Sequence, residues 1–218
     1  MIRSKDIAII GSGAAGMASA LFLHDQGHNV TLFEKVEKPG PVGAGVLIQP
    51  AGMFALDQLG VLDKFIEEGE IIQRLYGENQ NGKQVLNLVY DDFQKGSYGL
   101  GIHRGSIFNI LYEEVKLKNI SYKTGCPVNK LKRLPGKKVE LFQNSDSLGV
   151  FDAMILSSGK NSALRSHFKV NKKVHDYKWG ALWTIVEDDK GIADNELRQV
   201  YKTTKNIAGM LPIGKHPE

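Results

Sequence analysis

The stretch Asp6-Ile7-Ala8-Ile9-Ile10-Gly11-Ser12-Gly13-Ala14-Ala15-Gly16 decides the fold, because an apolar run stops at a glycine turn and a helix-forming run starts at once. The pattern predicts a strand over Asp6–Ile10, a helix over Ala14–Gln26 closed by Gly27, and a second strand over Asn29–Glu34. Strand, helix and strand within about 30 residues make a βαβ unit. Each glycine has its own task in such a turn. Gly11 permits the sharp bend, Gly13 lets backbone approach a diphosphate, and Gly16 lets helix and strand pack closely. The helix start then offers free N–H groups and the positive end of a dipole to phosphates, with Ala14 and Ala15 in its first turn and Ser12 inside the loop.

Glu34 closes the second strand, where a carboxylate accepts hydrogen bonds from the hydroxyls of an adenosine ribose and repels a 2′-phosphate. The unit taken alone therefore favours FAD or NAD over NADP.

Outward from this unit, a glycine-rich loop spans Gly40 to Gly45, and a helix is predicted after Pro50 through Met53, Phe54, Leu56 and Leu59, with Gly60 as its stop. Leu62–Glu68 reads as one more short helix. The pattern then turns to strands over Ile71–Tyr76 and Val85–Tyr90, joined as a hairpin through Asn79-Gln80-Asn81-Gly82-Lys83. Helical periodicity resumes over Ser106–Leu117. Strands follow at Ile120–Lys123, Val128–Leu134 and Lys138–Phe142, with Pro135-Gly136 turning the second into the third. Phe151–Leu156 is almost continuously apolar, as a parallel strand buried on both faces would be. A short helix near Ser162–Phe168 and β-like runs at Val174–Val186, Leu197–Thr203 and Asn206–Leu211 complete the chain, the last region reading as a partner for the first β region.

Bulk composition narrows the class. With 218 residues and 42% hydrophobic content the chain can bury a sizeable core, and a formal charge of +4 is too mild to argue for nucleic acid or a membrane surface. No run approaches the roughly 18 apolar residues of a membrane span. A single cysteine, Cys126, excludes an internal disulfide framework and suits a small buried residue in a reducing cytosol. His24, His28, His103, His167, His175 and His216 have no metal-ligand spacing and read mostly as surface residues. Trp179, Ala181 and Trp183 would share one face of a strand, as a pocket for a flat molecule or as ordinary core, and Tyr201 invites the same reading.

Three further segments carry a resemblance. Gly43-Ala44-Gly45-Val46-Leu47-Ile48-Gln49-Pro50 followed by Leu56-Asp57-Gln58-Leu59-Gly60, then Ile102-His103-Arg104-Gly105-Ser106-Ile107, then Phe151-Asp152 through Ser157-Ser158-Gly159-Lys160-Asn161-Ser162-Ala163-Leu164-Arg165, together resemble the class A flavoprotein monooxygenases, the para-hydroxybenzoate hydroxylase-like aromatic hydroxylases. In that family the first loop passes beside the flavin, the arginine of the second segment contacts the cofactor, and the third is an Asp-Gly motif serving FAD and the pyridine nucleotide. Gly159, Ser162 and Arg165 fit the motif, while Ser158 stands at its aspartate position.

The resemblance implies an α/β fold: a discontinuous Rossmann-type FAD-binding domain over 1–70 and 101–170, with an incomplete substrate-domain β-sheet over 71–100 and 171–218. It implies cofactor contacts at Gly11, Gly13, Ala14, Ala15, Gly16, Glu34, Lys35, Gly45, Arg104, Val128, Ser158 and Gly159, and it names no catalytic residue. The implied reaction is reduction of FAD by NADH or NADPH, formation of a C4a-hydroperoxyflavin with O2, and transfer of one oxygen atom to a small aromatic or heteroaromatic substrate. The family's later Gly-Asp motif has no match after Leu211-Pro212-Ile213-Gly214, so the resemblance is to an N-terminal part only. Two other readings stay open: a related flavoprotein with halogenase or reductase chemistry, and a nucleotide-binding remnant without catalysis.

Overall fold

The computed structural model describes residues 3–160, 162–168, 171 and 173–215. In chain order the elements are β1 (Asp6–Ile10), α1 (Ala14–Asp25), β2 (Asn29–Phe33), β3 (Gly45–Ile48), α2 (Pro50–Gln58), α3 (Leu62–Glu68), β4 (Glu70–Ile72), β5 (Arg74–Asn79), β6 (Gln84–Val89), α4 (Tyr90–Phe93), β7 (Gly99–His103) and α5 (Arg104–Leu117). Then come β8 (Ser121–Lys123), β9 (Lys130–Arg133), β10 (Val139–Gln143), β11 (Asp146–Phe151), β12 (Ala153–Leu156), β13 (Glu196–Tyr201) and β14 (Ile207–Met210), with single 3-10 turns at Pro135–Lys137 and Ala163–His167. The described residues fall into two compact units, one within 1–40 and 111–181, the other within 41–110 and 182–218.

The first unit is built on a parallel sheet in the order β12-β1-β2-β8. Its centre is β1, whose Ile7, Ala8, Ile9 and Ile10 are all buried. Helix α1 turns Gly16, Met17, Ala20 and Leu21 inward, the spacing by which one helical face covers a sheet. An antiparallel meander, β9-β10-β11, adds a second sheet. Ala8, Ile10, Phe33, Cys126, Val139, Leu141, Phe151 and Leu164 form one buried cluster, in which the Phe33 and Phe151 rings meet edge to face at 5.9 Å. Asp152 ties the start of β1 to this corner, accepting from the Asp6 N–H at 3.0 Å and from Lys138 Nζ at 2.7 Å. Cys126 is thus the small core residue its isolation suggested.

The second unit contains two sheets, β3-β7-β4 and β14-β13-β5-β6. Strand β7 is buried along its whole length between antiparallel β3 and β4. In the other sheet β13 runs parallel to β5, so the late β region does pair with the early one. The Tyr201 ring lies across Gly77, where a Cβ would come within 2.6 Å of it, and its hydroxyl donates to Gln199 at 2.8 Å, so Tyr201 serves this sheet.

Several expectations need correction. The run 71–76 breaks at Gln73, whose N–H donates to the Asn195 carbonyl, and β4 and β5 enter different sheets. The stretch 151–156 is divided by Asp152 between β11 and β12, and β12 is a half-exposed edge strand, parallel to β1 but not covered on both faces. No strand forms among the described residues of 174–186. Trp179 and Trp183 are 52% and 61% exposed there, so they neither share a strand face nor fill a core. β-favouring residues make a strand only where a partner edge accepts the ladder, and among the described residues this segment has none. His103 departs from the surface placement expected of most of the histidines: it is buried, and its Nδ1 accepts the Gly105 N–H at 3.0 Å, capping α5. Asn161 and His216 lie outside the described residues.

Candidate functional site

Chain order around β1 creates the site. From β1 the chain crosses to β2 on one side, while its other neighbour, β12, arrives from far along the sequence. The carboxyl ends of two such strands, where the connections part, are the usual ligand position in an open α/β sheet. Here those connections are Gly11–Gly13 and Ser157–Gly159.

Gly11 takes φ +101 and donates its N–H to the Phe33 carbonyl at 2.7 Å. A Cβ there would stand 2.7 Å from Ser158 Cα and 2.8 Å from the Ser157 carbonyl, so both conformation and contact require glycine. Gly16 is held as tightly: a Cβ would overlap the Gly11 carbonyl oxygen and come within 2.8 Å of Ser157 Oγ. The Ser157 hydroxyl shares its one proton between the Ile10 and Gly11 carbonyls, both at 2.9 Å, and locks the two loops together. Gly11, Gly16, Ser157 and Ser158 are therefore one packed constellation.

Gly13 is the opposite case. It is the N-cap of α1, and among the described residues no side chain caps the helix start and a Cβ would meet nothing within 4 Å. Gly13, Ala14 and Ala15 are exposed, so the first-turn N–H groups face open space with the dipole behind them. An uncapped helix start of this kind is the arrangement that can receive an anion.

Glu34 stands beside it, immediately past β2. One carboxylate oxygen accepts the Ser12 N–H at 3.0 Å and the Ser12 hydroxyl at 2.9 Å, and the other accepts the Val36 N–H at 2.9 Å. Burial works to raise its pKa and is the largest single influence, but these donors from Ser12 and Val36 together hold it below the ordinary glutamate value of 4.5. The group is an anchored anion at neutral pH. Ser12 and Val36 fill three of about four acceptor directions of the carboxylate, and the Lys35 N–H bears on it as well, so most of its hydrogen-bonding capacity is used from within. Tyr122 of β8, a residue that sequence reasoning missed, donates its hydroxyl to Ser12 Oγ at 2.8 Å.

The other expected residues are placed as follows. Ser158 and Gly159 are exposed at the crevice, above a hollow of about 460 Å3 lined by Leu156, Ser157, Gly159, Lys160 and Arg165. Lys35 is exposed one residue beyond Glu34. Val128 is half-buried against the hydrophobic cluster of the first unit, a packing position. Gly45 and Arg104 belong to the second unit. There Arg104 opens α5, donates its N–H to the Ala44 carbonyl at 3.1 Å, and lays its guanidinium against Gly43. Gly45 packs on Ile213. Among the described residues no group of His, Cys, Asp and Glu is arranged to hold a metal ion, and no helix is long and apolar enough to cross a membrane.

This donor set, with an anchored carboxylate beside an uncapped helix start and a cradle kept open at Gly13, fits the diphosphate and adenosine ribose of FAD. Comparison with known proteins points the same way. The chain is 29% identical over 126 residues to 6-hydroxynicotinate 3-monooxygenase of Pseudomonas fluorescens, covering 56% of this chain and 33% of that protein. It is 30% identical over 158 residues to 3-hydroxybenzoate 6-hydroxylase of Klebsiella oxytoca, covering 70% of this chain and 37% of that one. The chain thus spans only about a third of the length of these curated relatives. Its fold matches the crystal structure of 2-methyl-3-hydroxypyridine-5-carboxylic acid oxygenase with a TM-score of 0.82 at 18% identity, over 97% of this chain and 56% of that one. The profile of the family described as "FAD binding domain" matches residues 4–140, and the chain belongs to that FAD-binding family.

Proposed function

We propose that this chain supplies the FAD-holding part of a monooxygenase that hydroxylates a small aromatic or heteroaromatic compound with NADH or NADPH and O2. The observation that carries the proposal is the pairing of an open, uncapped helix start at Gly13 with the anchored Glu34 carboxylate. It gains direction from the relatives, whose names specify monooxygenation of 6-hydroxynicotinate and hydroxylation of 3-hydroxybenzoate.

In this reading Gly13, Ala14, Ala15 and Gly16 receive the diphosphate at the α1 start, and Glu34 accepts a hydroxyl of the adenosine ribose. Ser158 and Gly159 line the crevice, Lys35 lies on the adenosine side, and Gly45 and Arg104 act toward the flavin. Bound FAD supplies the redox and oxygen-activating chemistry. The protein holds the dinucleotide, fixes its orientation and shields the reacting centre from water. The proposed division of labour assigns 1–70 and 101–170 to the cofactor and 71–100 with 171–218 to the substrate side.

The test is to purify the chain, record its visible spectrum with and without added FAD, and follow NADH and NADPH oxidation under air against a panel of phenolic and heteroaromatic acids. Flavin uptake with substrate-stimulated oxidation and a hydroxylated product supports the proposal. A chlorinated ring or a reduced double bond assigns different flavin chemistry, and a protein that takes up no FAD overturns the cofactor role.

A further inference from the structure

Glu34, the residue proposed to meet the ribose, is held through its carboxylate by Ser12 and Val36 and through its backbone by the end of β8. Ser12, in the loop after β1, gives Glu34 both its N–H and its hydroxyl, and Val36 gives its N–H. The backbone N–H of Glu34 itself donates to the Lys123 carbonyl at the end of β8, at 2.8 Å. Tyr122, the neighbour of Lys123 in β8, reaches across to donate to Ser12 Oγ. The register makes this reach possible: β2 and β8 run parallel with Leu32 opposite Tyr122, so the tyrosine stands two residues short of Glu34 on the adjoining strand.

A serine hydroxyl has one proton. Here that proton goes to Glu34, so the oxygen is left to accept, and Tyr122 fills that role at 2.8 Å. The tyrosine thereby fixes the rotamer of Ser12 and polarises its O–H toward the carboxylate, the cooperative strengthening expected in a hydrogen-bonded chain. Burial is the main influence raising the Tyr122 pKa, and the Glu34 charge adds to it, so the phenol keeps its proton and remains a donor. Tyr112 packs edge-on against the Tyr122 ring at 5.8 Å, which restrains the ring independently of its hydroxyl. A long, three-torsion glutamate is thus immobilised before any ligand arrives, and the ordering cost of binding is met in advance.

We infer that Tyr122 and Ser12 are positioning residues for ribose recognition: the relay Tyr122 → Ser12 → Glu34 presents the carboxylate to an adenosine ribose hydroxyl and sets how strongly this site prefers an intact ribose. The inference rests on the proposal that Glu34 contacts the adenosine ribose, and the experiment separates the two. Dissociation constants of ADP, 2′-deoxy-ADP and 3′-deoxy-ADP are measured by calorimetry on the full chain and on Tyr122→Phe, Ser12→Ala and Glu34→Gln. The native chain is expected to bind at least one deoxy isomer about tenfold more weakly than ADP, the loss of one hydrogen bond to a charged group. In Tyr122→Phe, which keeps the ring against Tyr112, that ratio falls to about threefold or less, and in Ser12→Ala and Glu34→Gln it approaches one. A purely structural tyrosine would lower the melting temperature without moving the ratio. Native discrimination that Glu34→Gln abolishes but Tyr122→Phe leaves intact overturns the positioning role alone. Equal binding of all three nucleotides by the native chain overturns the ribose contact and the relay with it. Ser12→Ala, read by the same ratio, decides the case if the phenylalanine variant does not fold.

Discussion

Replacing Gly13 by alanine should separate cofactor binding from folding. Gly13 has φ −67 and ψ 175, extended backbone that any residue adopts, and a Cβ meets no atom within 4 Å. A glycine-to-alanine change in a compatible conformation stabilises by about 0.4–1 kcal/mol through the unfolded chain. Glycine is the better N-cap by about 0.5–1 kcal/mol, so the two effects nearly cancel. The net change in stability should stay within about 1 kcal/mol, a melting shift of no more than about 2–4 °C for a chain of this size. The same methyl occupies the open space over the first-turn N–H groups, where a diphosphate has to approach. Losing one or two charge-assisted hydrogen bonds costs about 3 kcal/mol, roughly a hundredfold in FAD affinity. Thermal melts of the apo chain and fluorescence titration with FAD measure the two effects. An alanine variant that binds FAD with native affinity would refute the placement of the diphosphate, and one that melts far below the native chain would refute the openness of Gly13.

Gly16→Ala should do the reverse, lowering stability by about 2–4 kcal/mol in thermal melts, because its Cβ overlaps the Gly11 carbonyl and crowds Ser157 Oγ. Ser157→Ala removes the hydroxyl that donates to Ile10 and Gly11 and should cost about 1 kcal/mol by chemical denaturation, without leaving a buried donor behind. The lowered pKa of Glu34 gives stability that is fully present above 4.5 and is lost as the pH falls through the folded value. Glu34→Gln should therefore flatten part of the acid limb in melts taken across that range, and an unchanged acid limb would show that Glu34 is not the anchored anion described.

Residues 6–33 were legible because an apolar strand, a glycine turn and an alanine-rich and leucine-containing helical run each leave a local pattern, and the observed elements agree to within a residue at each end. Strand β7 was not, although it is the most buried strand of its sheet. Gly99 and Gly101 interrupt its apolar run, and they are there because Tyr90 and the Pro212 carbonyl occupy the space a Cβ would need, contacts invisible along the chain. The tryptophan segment failed for the opposite reason, since alternation suggests a strand but only a partner edge makes one. In the site, the glycine loop and Glu34 stood out by spacing. Tyr122 did not, because it meets Ser12 across 110 residues of sequence through the parallel register of β2 and β8. Nothing in a tyrosine flanked by serine and lysine signals that meeting.

The most direct test is a crystal structure of the chain soaked with FAD. The account predicts the diphosphate within hydrogen-bond distance of the N–H groups at the start of α1, with an adenosine ribose hydroxyl on the Glu34 carboxylate. FAD bound elsewhere, or a Gly13 crevice that stays closed to it at saturating concentration, would contradict the account.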